Sequence, residues 1–150
     1  MRGLLILWGI FFSANALSEE FIEKVTAEIE QVAGNCAEKE GANADDITEL
    51  IKHTVPPSSH TTKCVHACIY EHFNVMKSDG TFDKQATIDA FSPLKSEDAD
   101  IYGKVLKIID VCQEKPEIFE DRCETASSYT VCIKKEAENV GFTDQSFMRK

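Results

Sequence analysis

The chain has little that would cross a membrane, bind a polyanion or do chemistry. Beyond residue 16 no apolar run approaches the roughly 20 residues that span a bilayer. No Asn-x-Ser/Thr triplet occurs, so N-glycosylation is not expected. Sustained apolar–polar alternation is missing, which argues against a sheet. The 7 glycines are scattered, so there is no Gly-rich calcium loop. Internal repeats and low-complexity segments are absent too. Positive charge is scarce: 16 Lys and Arg face 26 Asp and Glu, a net charge of −10. Such a surface disfavours nucleic acid and anionic membrane, and suits a neutral or cationic partner better than a phosphate.

What is present is an export signal and six cysteines. Arg2 precedes an apolar run, Leu4 to Phe12, and Ala14-Asn15-Ala16 has the small-x-small pattern of a cleavage site. Residues 1–16 are therefore read as a signal peptide, residues 17–150 as one domain starting near Leu17. Losing Arg2, the one charge in the leader, takes the net charge from −10 to −11. The cysteines are Cys36, Cys64, Cys68, Cys112, Cys123 and Cys132. An even set behind an export signal points to three disulfides in an oxidising, extracellular compartment.

Helix punctuation divides the domain into six segments. Ser18 can cap a helix running to about Lys39, with Gly41 as its stop. Asn43-Ala-Asp-Asp46 opens a short helix to about His53, and Thr54-Val-Pro-Pro-Ser58 then breaks the chain. A third helix covers about Ser59 to Phe73. Asp79-Gly80 is a turn, and Asp83 caps a helix ending before Pro93. Ser96 is placed as the cap of the fifth, reaching about Gln113. Asp121-Arg-Cys-Glu124 has the form of a capping box for the last, which ends near Asn139 before Gly141.

Geometry restricts the cysteine pairing. Cys64 and Cys68, four apart on one helix, have Cβ atoms about 5–6 Å apart, whereas a disulfide needs about 3.5–4.5 Å. Cys123 and Cys132, nine apart, point to opposite sides of the last helix, about 13 Å apart along it. Excluding both pairs leaves ten of the 15 possible connectivities. The opposed cysteines also require a neighbour on each side of the last helix.

The gaps between the cysteines are 27, 3, 43, 10 and 8 residues. This pattern, with the leader and the six helices, resembles the insect odorant-binding proteins, the general-odorant and pheromone-binding family, over the whole mature chain. The resemblance implies the bridges Cys36–Cys68, Cys64–Cys123 and Cys112–Cys132. It implies an all-α fold, a compact bundle of about six helices with three interlocked disulfides around an internal apolar cavity. It also implies a secreted carrier without enzymatic activity or cofactor, which takes small hydrophobic ligands (volatile alcohols, aldehydes, esters or fatty acid derivatives) through aqueous fluid. The resemblance also implies a membrane chemoreceptor as a partner, and a carrier that is a monomer or weak homodimer.

Apolar stripes at helical spacing supply the walls. They are Phe21, Val25, Ile29 and Val32; Val65, Ile69 and Phe73; Ile101, Tyr102, Val105, Ile108, Ile109 and Cys112; and Ala126, Tyr129, Ile133, Ala137 and Val140. Periodicity alone reads these as core, and the cavity comes from the resemblance. By offset from the cysteines, Ile29, Tyr70, Leu106, Ile109 and Ile133 are expected at the ligand. Phe73, Phe119 and Tyr129 join them from local pattern. Tyr70 and Tyr129 are the candidates for a polar contact, the structural alternative being a hydrogen bond to a backbone carbonyl. Burying about ten CH₂ groups yields about 8 kcal/mol, so micromolar affinity is expected after association costs.

Four histidines, His53, His60, His66 and His72, cluster around the Pro56-Pro57 break and the third helix. Charging them below about pH 6 is expected to loosen that region. In the tail, Phe142, Phe147 and Met148 could plug a cavity mouth. Other functions fit less well. A phospholipase A2 would need an Asp beside its histidine, but Ala67 follows His66. Zinc on Cys64, His66 and Cys68 is disfavoured by their divergence on a helix and by export. The same fold could instead serve as a carrier or scavenger in saliva, venom or reproductive secretion.

Overall fold

Residues 17–142 are described by the computed structural model, so the expected leader and the tail positions Phe147 and Met148 lie outside the described residues. Among the described residues seven helices follow in order: α1 (Glu19–Glu40), α2 (Ala44–Ile51), α3 (His60–His72), α4 (Lys84–Phe91), α5 (Leu94–Glu97), α6 (Ala99–Glu114) and α7 (Arg122–Asn139). No strand occurs among the described residues beyond one isolated bridge, Met76 to Phe82, which closes the turn around Gly80. The all-α reading holds. None of the described helices is long and apolar enough to cross a membrane.

Local chemistry sets most of the helix ends. Ser18 accepts from Phe21 N, and Gly41 ends α1 at φ 72°, a left-handed conformation that glycine adopts at low cost. Asn43 and Asp46 form a reciprocal capping box at α2. Asp83 accepts from Ala86 N to start α4.

Two expected caps need correction. Ser96 does not start the long helix: Pro93 instead leads into the short α5, and Ser96 Oγ donates to Pro93 O. Asp98 caps α6, accepting from Asp100 N and Ile101 N at 3.0 Å each. A proline tolerates the start of a helix, so the chain makes one more turn where a stop was expected. At α7, Asp121 caps Cys123 N, but Glu124 does not close the box. Its carboxylate reaches across to Lys63 on α3 at 3.0 Å.

The bridges are Cys36–Cys68, Cys64–Cys123 and Cys112–Cys132, as the resemblance implied, and no cysteine is free. They tie α1 to α3, α3 to α7 and α6 to α7. Helix α7 therefore lies between α3 and α6. With sequence separations of 32, 59 and 20 residues, each bridge stabilises by about 3–4 kcal/mol in chain-entropy terms. At one end Arg122 joins three helices, pairing with Glu40 of α1 at 2.9 Å and Glu71 of α3 at 3.2 Å.

The core is not uniform. Val32, Cys36, Ala37, Val65 and Cys68 pack where α1 crosses α3. Ala67, Met76 and Ala126 fill the crossing of α3 with α7. A third cluster, Val75, Ile108, Cys112, Tyr129 and Phe142, lies between α6, α7 and the segment after α3.

Candidate ligand site

The third cluster gathers half of the eight residues expected at the ligand. Its five buried members are fringed by apolar side chains that solvent still reaches in part, among them Phe73, Ile101, Val105, Ile133, Ala137 and Val140. The four expected residues are Tyr70 of α3, Phe73 at its C-terminal cap, and Tyr129 and Ile133 of α7. Ile109 is buried and Leu106 half-buried on the adjoining face of α6. Ile29 on α1 and Phe119 in the loop before α7 stand apart, 46% and 45% exposed. Phe142, expected to help plug the mouth, is buried in the cluster with Lys104 Nζ 5.7 Å from its ring centre.

Aromatic rings form one wall. Tyr129 stands edge-on to Tyr70, with centroids 5.3 Å apart, and lies 4.4 Å from Phe82. Both tyrosine hydroxyls find side-chain partners, not backbone carbonyls. Thr130 donates to Ala126 O at 2.8 Å, so its oxygen accepts from Tyr70 at 2.8 Å. The same oxygen lies 3.3 Å from His66 Nδ1. Gln113 Nε2 donates to Tyr129 Oη at 2.8 Å and to Thr87 Oγ1 at 3.0 Å. Burial pushes both phenols above their ordinary pKa, so they remain neutral hydrogen-bonding groups.

Of the four histidines only His66 is substantially enclosed; His53, His60 and His72 are exposed. Burial holds His66 below its ordinary pKa of 6.5; Glu49 opposes that shift and His53 adds to it. His60 pairs with Asp121 at 2.7 Å. This hydrogen bond, then the one from Cys123 N, hold the Asp121 carboxyl below its usual range.

Other sites are less apt. The thiols of Cys64 and Cys68 are consumed in disulfides, which removes the zinc alternative. His60, Asp121 and Glu124 each bring a ligand atom within 4.8 Å of the others. Glu124, however, is already held by Lys63. An open surface cleft of about 560 Å³ is bordered by Glu71, Asn74, Lys77, Asp79 and Asp83, an unsuitable lining for an apolar ligand.

Sequence reasoning missed Val75, Phe82, Thr130 and Gln113. Val75 and Phe82 lie in a non-helical connection with no periodic signal. Gln113 and Thr130 are polar residues set beside Cys112 and Tyr129, and only their partners reveal their role.

These features define a class of all-α bundle, stapled by three disulfides and carrying a partly exposed apolar wall. The family model for the PBP/GOBP family matches residues 18–136, and the chain belongs to that family. It is 28% identical to general odorant-binding protein 28a of Drosophila melanogaster over 138 residues, 91% of this chain and 95% of the relative. With general odorant-binding protein 19d of the same fly it shares 27% over 111 residues, 74% of this chain and 73% of the relative. Among solved structures, odorant-binding protein dmelOBP28a superposes with a TM-score of 0.64 at 25% identity, covering 81% of this chain and 99% of that one. The fold is shared as well with the fatty acid binding protein OBP56a from the oral disk of the blowfly Phormia regina. There the TM-score is 0.61 at 22% identity, covering 83% of this chain and 98% of that one.

Proposed function

We propose that this chain is a secreted carrier of small hydrophobic ligands, holding them against the apolar wall of α3, α6 and α7. One observation carries the reading. The cluster around Tyr129 keeps a fringe of apolar side chains only partly shielded from water, although disulfides fix the helices that bear them. A ligand seated there completes their burial. About ten CH₂ groups supply about 8 kcal/mol, enough for micromolar binding once ordering costs are met. Ile133, Phe73, Tyr70, Tyr129, Leu106 and Ile109 are the proposed contacts. Ile29 and Phe119 join them only through movement of α1 or of the loop before α7. The first 16 residues direct export in this reading.

Membership of the PBP/GOBP family supports the carrier role. The likeness to the blowfly fatty acid binding protein of the oral disk favours a ligand with an acyl-length tail and a role not confined to olfaction. Displacement of a fluorescent apolar probe by alcohols, aldehydes, esters and fatty acids tests the proposal. Micromolar displacement is expected; if no apolar compound displaces the probe, the carrier reading falls.

A further inference from the structure

We infer that Tyr129 and Gln113 form a subsite for a ligand hydroxyl group, so that the carrier distinguishes alcohols from ethers and aldehydes of the same length. The inference rests on the carrier reading and adds a polar recognition element to it.

The hydrogen bonds of three side chains fix the argument. Thr87 Oγ1 donates its proton to Asp83 O at 2.7 Å. Its oxygen can then only accept, and the Gln113 atom 3.0 Å away must be the amide nitrogen. This settles which way the amide faces, a question hydrogen-bond geometry alone often leaves open. The same nitrogen donates to Tyr129 Oη. Both amide protons are thereby used, and the tyrosine oxygen serves as acceptor.

Two groups are left over. Tyr129 keeps its own proton with no acceptor among the described residues. Gln113 Oε1 is buried and has no donor among them. Tyr129 is only 5% exposed. Nearly all buried polar groups in folded proteins are paired, and an unpaired one is costly. A free donor and a free acceptor therefore lie side by side at the edge of an apolar cluster.

Their complement is a group that both accepts and donates through one oxygen. An alcohol does so, accepting from Tyr129 and donating to Gln113 Oε1. An ether or aldehyde only accepts, and leaves Oε1 unmet. An ionised carboxylate sets a second acceptor against it. The ligand's tail would then run along Val105, Phe73 and Ile133, which fringe the same cluster.

Competition against the apolar probe tests this with a straight-chain primary alcohol and an ether of equal heavy-atom count. The wild-type protein should hold the alcohol tighter by roughly tenfold, the effect of one added buried hydrogen bond. Tyr129→Phe and Gln113→Met should each bring the ratio toward one. Circular dichroism and the absence of free thiols confirm that the variants are folded. Independently of any variant, the Tyr129 Cζ resonance of the wild-type protein should shift with the alcohol and not with the ether. Equal affinity for alcohol and ether in the wild type overturns the subsite, as does an alcohol preference that survives both substitutions, while leaving the carrier reading intact. Failure of every apolar compound to displace the probe overturns both.

Discussion

Along its α3 side, α7 sets Ala126 against Ala67, both fully buried, and Cys64–Cys123 brings the two backbones to a Cα separation of 4.5 Å. Along its α6 side, a second disulfide ties Cys112 to Cys132, yet Ile101, Val105, Ile133, Ala137 and Val140 all keep some exposure. Both sides are cross-linked, so cross-linking does not explain the contrast. Side-chain size does. Small residues, Ala67 and Ala126, let α3 and α7 meet and exclude solvent, whereas the branched and aromatic residues on the α6 side remain only partly buried. The first side is a packed scaffold. The second is an apolar wall whose burial is incomplete, the condition under which an added molecule gains free energy without displacing core.

Removing the two bridges separately is the strongest way to break this comparison. Cys64→Ala with Cys123→Ala opens the longer loop and should lower stability by about 4 kcal/mol. Cys112→Ala with Cys132→Ala should cost about 3 kcal/mol. Urea midpoints read both, and the reverse ranking would count against a scaffold centred on α3 and α7. Point substitutions sharpen the contrast on a smaller scale. Val65→Ala, at a position with no exposure, should cost about 2 kcal/mol. Ile133→Ala, at the half-buried wall, should cost about 1 kcal/mol and weaken probe binding several-fold. Equal stability losses, with probe affinity untouched by Ile133→Ala, would place the ligand elsewhere.

The scaffold was largely legible in the sequence. The opposed directions of Cys123 and Cys132 demanded a neighbour on each side of α7, and α3 and α6 fill those places. Ser18, Asp83 and Gly41 marked helix ends through local chemistry that needs no tertiary context. Ser96 misled because Asp98, two residues on, is also a good cap, and Pro93 permits the intervening turn. The wall was legible only in part. Helical spacing presented Tyr129 and Ile133, but it presented Ile29 equally, and periodicity has no term for how far a helix extends past its partners. Gln113 and Thr130 were invisible for a different reason. A polar residue beside an apolar stripe is ordinary until a partner from another helix meets it.

The smallest effect expected is at the seam between the two sides, where His66 of α3 reaches Thr130 of α7. Thr130 directs its proton to Ala126 O, so the neutral imidazole must carry its proton on Nδ1 and donate to Thr130 Oγ1 at 3.3 Å. Acidification then adds the second proton at Nε2, in a setting where burial already disfavours charge. With the folded pKa below 6.5, the unfolded chain binds more protons in the interval between the two values. Stability must therefore fall as pH drops from about 6.5 through the folded pKa of His66. The carboxylates act later. Glu49, lowered from 4.5 to about 2 chiefly by hydrogen bonds from Ser58, loses its contribution only below about pH 4.5. Asp46 and Asp121, both lowered from 3.8, follow lower still. Thermal unfolding across pH 7.5 to 3 should thus show two separate declines. His66→Gln should erase the upper decline and leave the lower one in place. Because Thr130 also receives the Tyr70 hydroxyl, the upper decline should be accompanied by weaker probe binding at pH 5 than at pH 7.5. Equal affinity at the two pH values would confine the effect of His66 to the scaffold side and detach it from the ligand wall.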